Sequence, residues 1–159
     1  MNKKKKSAPV NKTGAPKVTN SHHDHEQGNC TTLPGISQLH YKMLKASAIL
    51  DVVIQERGCR TITNPKELHE LGFSPAQERA PGLLLPVHST DGQIPFYVYR
   101  PDYPRVIENK MKRNPDGTYK QKIIRYEMPK GAKMRLDVPP RCRAALGDPK
   151  IPLYVTEGI

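Results

Sequence analysis

The pattern of apolar and polar positions changes period once along the chain. In "ISQLHYKMLKASAILDVVIQERG" the apolar residues recur at helical spacing. Leu39, Met43 and Leu44 share a face of a first helix. Ile49, Leu50, Val53 and Ile54 make the stripe of a second, with Ser47 as its cap and Gly58 as its stop. "CRTIT" reads as a short strand. "NPKELHELGF" carries a full set of helix signals: Asn64 at the N-cap, Pro65 in the first turn, Leu68 and Leu71 inward, Gly72 at the end. "SPAQERAPG" repeats them from Ser74 and Pro75, which predicts another helical turn. After Gly82 the period shortens. "GLLLPVHSTDGQIPFYVYRPD" reads as two strands around a "DG" connection. "KRNPDGTYKQKIIRYEMP" holds a second "PDG" turn and a strand around "KIIRY". "PPRCRAALGDP" is a short helix entered by proline and left at Gly147. "IPLYV" closes the chain as a final apolar strand. Helices first, then antiparallel strands, a short helix and a last strand define an α+β domain.

That domain is expected over residues 33–159. Residues 1–32 show no hydrophobic period and are rich in Lys, Asn, Pro, Thr and Gly, so they are expected to form a disordered basic tail. Within it "KKKK" is a solvated run that can also touch nucleic acid. "HHDH" offers His22, His23, Asp24 and His25 with nothing around them to hold a metal geometry. The chain is 36% hydrophobic, with 16 prolines, two phenylalanines and no tryptophan, which points to a modest core with much irregular structure. Cys30, Cys59 and Cys142 are far apart and odd in number, a pattern that fits neither a zinc ribbon nor a disulfide scaffold. The apolar runs are too short to span a membrane, and the N-terminal lysines precede no apolar signal segment. The expectation is a cytoplasmic protein with reduced thiols and no membrane partner.

Charge narrows the function classes. The net charge is +11, but residues 31–99 are neutral, whereas residues 100–143 carry 13 basic and 5 acidic side chains, a net +8. A block of that kind suits a polyanion, through release of counterions from phosphates. Arg100, Arg105, Lys122, Arg125, Tyr126 and Lys130 are the candidate nucleic-acid contacts, with Arg100 and Arg125 favoured for phosphate. Tyr97 and Tyr99 lie two apart on a strand and share a face. They either stack the bases of a single strand or fill the core of a domain short of Trp and Phe. Single-stranded DNA is the favoured partner. Asp102 and Asp137 are expected to pair locally with Arg105 and Arg135. "RLDVPPR" reads as a structural crossover, and His69 as a surface residue.

The blocks "ILDVVIQERGCRT", "ELHELGFS", "PGLLLPV", "DGQIPFYVYRPDYPR", "RYEMPKG", "MRLDVPPR" and "PLYVTEG" fall in an order that resembles a bacterial family of uncharacterised domains. These stand at the start of large plasmid- and phage-type proteins related to primases and replicative helicases. The resemblance runs from about Ser47 to Gly158, about 70% of the chain. More distantly, the segment is similar to the basic subdomain that precedes the Toprim domain in DnaG-type primases. There Arg100 matches the arginine ending the second strand, and Arg125, Tyr126 and Pro129 match a basic-Tyr-x-x-Pro element. The resemblance implies phosphate contacts for such residues. Three features depart from that pattern: Arg stands for Lys at 125, "YRPD" replaces a glycine-rich turn, and no cysteine-rich finger precedes the domain.

The resemblance also implies a role for Glu157. In Toprim domains a glutamate ending the first strand is a general acid/base or a metal-proximal group, and an Asp-x-Asp pair on later strands binds Mg²⁺. This sequence has no Asp-x-Asp, one residue follows "TEG", and a further βαβ unit needs about 30 residues. The expectation is therefore a nucleic-acid-binding N-terminal portion of a mobile-element replication protein, cut off at the Toprim glutamate. It would carry no metal or cofactor site of its own, with Mg²⁺ required only by a complete Toprim domain. Glu157 would be catalytic only if a separately encoded or missing Toprim or helicase portion completed it. Two alternatives stay open: a truncated or split gene product that is inert alone, and a protein-docking domain.

Overall fold

A computed structural model of the chain describes residues 32–156. Helices α1 (Gln38–Ala46) and α2 (Asp51–Arg57) come first, then strand β1 (Arg60–Ile62) and helix α3 (Pro65–Glu70). Strands β2 (Gly82–Val87), β3 (Phe96–Pro101), β4 (Arg105–Arg113) and β5 (Tyr119–Ile124) follow, and a 3-10 helix spans Pro140–Ala145. The α+β class stands. The strands form two separate antiparallel sheets, β1-β2-β3 and β4-β5.

Local chemistry explains most of the boundaries. The Asn64 side chain accepts a hydrogen bond from the Lys66 N–H, Pro65 opens α3, and Leu68 is fully buried. Gly58 ends α2 in the left-handed region at φ +68°. Ser47 acts differently from expectation. Its N–H and Oγ both bond back into the end of α1, so it closes that helix. α2 starts after Leu50 without a side-chain cap, helped by Asp51 at the positive end of the helix dipole. The stripe of α1 is also shifted. His40 and Leu44, four residues apart, face inward while Leu39 is exposed, as is Leu50 before α2.

"SPAQERAPG" forms a turn, not a helix. The Gln77 side-chain carbonyl accepts from both the N–H and the hydroxyl of Ser74, and the Arg79 N–H bonds to the Gln77 carbonyl. These local bonds take the groups a helix would need.

β2 lies between β1 and β3 and is buried along nearly its whole length, which is why "GLLLPV" shows no alternation. Leu83 faces a cluster with Ile36, Leu44, Ile54 and Cys59. Burial there pushes the Cys59 thiol up from its ordinary pKa. Leu84 faces the other cluster, with Ile62, Leu68, Phe73 and Tyr99. Phe73 and Tyr99 meet edge to face at 5.8 Å, and the Tyr99 hydroxyl donates to the Arg79 carbonyl at 2.9 Å. Gly82 makes room for this ring. A Cβ there would come within 2.5 Å of the Tyr99 ring and 2.6 Å of the Arg100 carbonyl oxygen.

The expected final strand does not form. Residues 152–156 have no regular structure, and Leu153, Tyr154 and Val155 are exposed. "IPLYV" has the composition of a strand, but no sheet edge pairs with it. Its side chains line a mainly apolar hollow of about 1050 Å³ together with Val87, Phe96 and Val98. The segment before it is anchored. Asp137 accepts from Arg57 at 2.6 Å and from the His88 N–H at 3.0 Å, and the Val138 N–H bonds to the His88 carbonyl at 2.7 Å. "RLDVPPR" is thus a structural tie, made to Arg57 rather than to Arg135. Most of the tail expected over 1–32, with "KKKK", "HHDH" and Cys30, lies outside the described residues, as does Glu157.

Candidate nucleic-acid interface

β4 and β5 pack extensively only on each other. Arg105 opposes Ile124, Val106 opposes Ile123, Ile107 opposes Lys122 and Asn109 opposes Lys120. Directly opposed residues share a face, so Ile107 and Lys122 look one way and Val106 and Ile123 the other. Both faces are open to solvent along most of the ribbon. From Arg105 to Arg125 it carries seven basic and two acidic side chains. The six residues of β5 give it a reach of about 20 Å.

The tip is tightly built. Gly117 turns at φ +84°, and Asp116 accepts from the Thr118 N–H at 2.9 Å and from its hydroxyl at 2.6 Å. Those bonds hold the Asp116 carboxyl below its usual range. Arg113 lies 4.3 Å over the Tyr119 ring and donates to the Gly117 carbonyl and the Tyr119 hydroxyl. Between the pairs Asn109–Lys120 and Arg113–Tyr119 the register shifts, leaving Lys110, Met111 and Lys112 unopposed in a bulge.

The base of the ribbon is locked to the first sheet through Glu127. Its backbone exchanges two hydrogen bonds with Tyr99, at 2.8 and 2.9 Å. Its side chain is 3% exposed. Arg105 donates to both carboxylate oxygens, at 2.5 and 3.0 Å, and the Gln77 amide donates at 3.0 Å. The carboxylate in turn holds the Arg105 guanidinium more firmly charged. Arg105 therefore serves first as a strut.

A cleft of about 340 Å³ opens beside this base, and both Arg100 and Arg125 line it. Arg100 extends from β3 with its Nη1 against the Met43 sulfur and its Cζ 5.9 Å from the centre of the Tyr126 ring. Arg125 is exposed. His40 and Asp102 form another wall. The Asp102 carboxylate pairs with His40 Nε2 at 2.7 Å, and His40 Nδ1 meets the Thr61 hydroxyl at 2.8 Å. Asp102 thus pairs with His40 across 62 positions of sequence, not with Arg105. The Asp102–His40–Thr61 line ties β1, α1 and the end of β3 together. The Thr61 oxygen also accepts from the Ser37 N–H at 2.8 Å.

The structure thus gathers Arg100 and Arg125 at the cleft, sets Tyr126 near the Arg100 guanidinium, and places Lys122 out on the ribbon. Lys130 stands exposed in the turn from Pro129 to Ala132, apart from both. Tyr99 is fully buried and Tyr97 packs half-buried against the same cluster, so this pair fills the core and offers no stacking platform. His69 is exposed and pairs with Glu78. His40 and Glu127 escaped the sequence reading. Nothing in the local sequence set Glu127 apart from the other four carboxylates of the basic block. Among the described residues no group of three or more His, Cys, Asp or Glu is placed to hold a metal ion. The sequence contains no Asp-x-Asp. Among the described residues no helix is long and apolar enough to cross a membrane. No family model matches the chain, and no curated protein or solved structure matches it.

Proposed function

We propose that the protein is a nucleic-acid-binding module that works through the β4–β5 ribbon and the adjoining Arg100–Arg125 cleft. One observation carries this reading: a projecting two-stranded ribbon, exposed on both faces, with seven basic side chains against two acidic ones. A ribbon of two strands fits a nucleic-acid groove, and lysines spread along it neutralise successive phosphates. Arg125, one of the seven, and Arg100 place two guanidinium groups at its foot, where a phosphate entering the cleft meets both. The motif resemblance supports placing this binding in the replication machinery of a plasmid or phage, as the front portion of a primase- or helicase-like protein. The chain's own part there is to hold nucleic acid rather than to turn over nucleotides. The test is fluorescence anisotropy of labelled single- and double-stranded oligonucleotides with the full chain at low salt. Binding that Arg100→Ala and Arg125→Ala each weaken supports the reading. Absence of binding to either oligonucleotide contradicts it.

A further inference from the structure

The bulge on β4 makes the ribbon more than a charged surface. Met111 is 92% exposed, more than any other large apolar side chain among the described residues. It stands between Lys110 and Lys112, and no residue of β5 opposes any of the three. The bulge has a defined shape, because the Asn109 side-chain carbonyl accepts from the Met111 N–H at 3.2 Å. An unbranched apolar side chain is thereby held out into water with a cation on either side. Scattered exposed apolar residues are ordinary on protein surfaces. This one sits at the bulge of the most basic projection of the molecule, where a polyanion would bring it against stacked bases.

On the reading that the ribbon binds nucleic acid, we infer that its ligand is duplex DNA and that Met111 inserts between two base pairs from the minor groove, bending the helix. The ribbon follows the groove, and Lys110 and Lys112 hold the phosphates on either side of the opened step. Insertion of an apolar wedge unstacks that step and kinks the duplex by about 20–90°, which brings more of the DNA against the protein. Two observations favour a duplex over a single strand. Tyr97 and Tyr99, the residues best spaced to stack free bases, are committed to the core. Flat exposed rings, Tyr103 and Tyr126, flank the ribbon's base, whereas the apolar group exposed on its bulge, Met111, has the shape of a wedge and no flat face. Flexible pyrimidine–purine steps such as TA are the preferred point of entry, because they unstack most easily.

The experiment uses the full chain and a duplex of about 30 base pairs, short against a persistence length of about 150, labelled at its ends for energy transfer. At saturating wild-type protein the transfer efficiency rises, reporting a bend of at least about 20°. Met111→Ser leaves the bound duplex straight and weakens binding by up to about tenfold, and Met111→Leu restores the bend. Lys110→Ala with Lys112→Ala weakens binding in a salt-dependent way but still bends the duplex at saturation. Three results overturn the inference and leave the ribbon a binding surface: wild-type protein that saturates the duplex without bending it, a Met111→Ser chain that bends it fully, or binding confined to single strands. Loss of all nucleic-acid binding overturns the proposed function itself, and the wedge with it.

Discussion

Arg105→Ala separates a strut from a phosphate contact. Glu127 is 3% exposed and receives the Arg105 fork at 2.5 and 3.0 Å, with Gln77 at 3.0 Å as its other side-chain donor. Removing the guanidinium leaves a carboxylate charge inside the protein with one neutral donor. Breaking a buried pair in this way costs about 3–5 kcal/mol. Arg105 itself is 30% exposed, so water can reach the vacated side, and the lower end, about 3 kcal/mol, is expected. Against a total stability of about 5–15 kcal/mol that is a large loss. Urea unfolding followed by circular dichroism reads it as a lower midpoint at unchanged slope. Glu127→Gln in the same background recovers part of the loss, because it removes the unpaired charge while keeping the amide in place. Lys122→Ala should do the reverse: leave stability within about 0.5 kcal/mol and flatten the salt dependence of nucleic-acid binding by about one unit. The reasoning is refuted if Arg105→Ala unfolds at the wild-type midpoint, or if it flattens the salt slope as Lys122→Ala does with stability intact.

Two further outcomes follow from the packing and the ion pairs. Gly82→Ala drives a methyl group into the Tyr99 ring and the Arg100 carbonyl, and overpacking of this kind costs about 1–3 kcal/mol; a thermal melt at or above the wild-type temperature contradicts it. Asp51, Glu56, Asp91 and Asp116 are held below their ordinary pKa values by hydrogen bonds from Lys45, Arg141, Ser89 and Thr118. As pH falls through about 4 the unfolded chain takes up protons at these carboxyls before the folded one does, so unfolding gains. The stability they contribute is complete above that range and lost as pH drops through the lowered native values. A melting temperature flat down to about pH 5 and falling below it is expected, and a rise on acidification contradicts the assignment.

The parts of the fold that were legible are those settled by neighbours in sequence. Asn64, Pro65, Leu68 and Gly72 define α3 within nine positions, and Gly58 closes α2 by its own conformational freedom. β2 and β3 show their apolar character because both are buried. β4 was not legible for the opposite reason: neither of its faces is buried for most of its length, so no period marks Ile107 or Met111 as part of a strand. "IPLYV" misled because composition reports a readiness to pair, while pairing needs a free edge within reach. The basic block could be read from charge alone, but its division into strut, cleft and ribbon could not. That division rests on Glu127, which meets Gln77 across 50 positions and Arg105 across 22, and on His40, which meets Asp102 across 62.

The ribbon's role is tested most directly by the salt dependence of binding in two variants of equal charge change. In one, Lys110, Lys112, Lys120 and Lys122 are replaced by alanine. In the other, four exposed lysines away from the ribbon are replaced: Lys42, Lys45, Lys66 and Lys150. Each lost phosphate contact on a duplex reduces the slope of log K against log salt by about 0.9. The account predicts a slope flattened by about 3–4 in the ribbon variant and nearly unchanged in the other. Equal flattening in both would mean that net charge alone draws the polyanion, and would contradict a binding surface on β4 and β5.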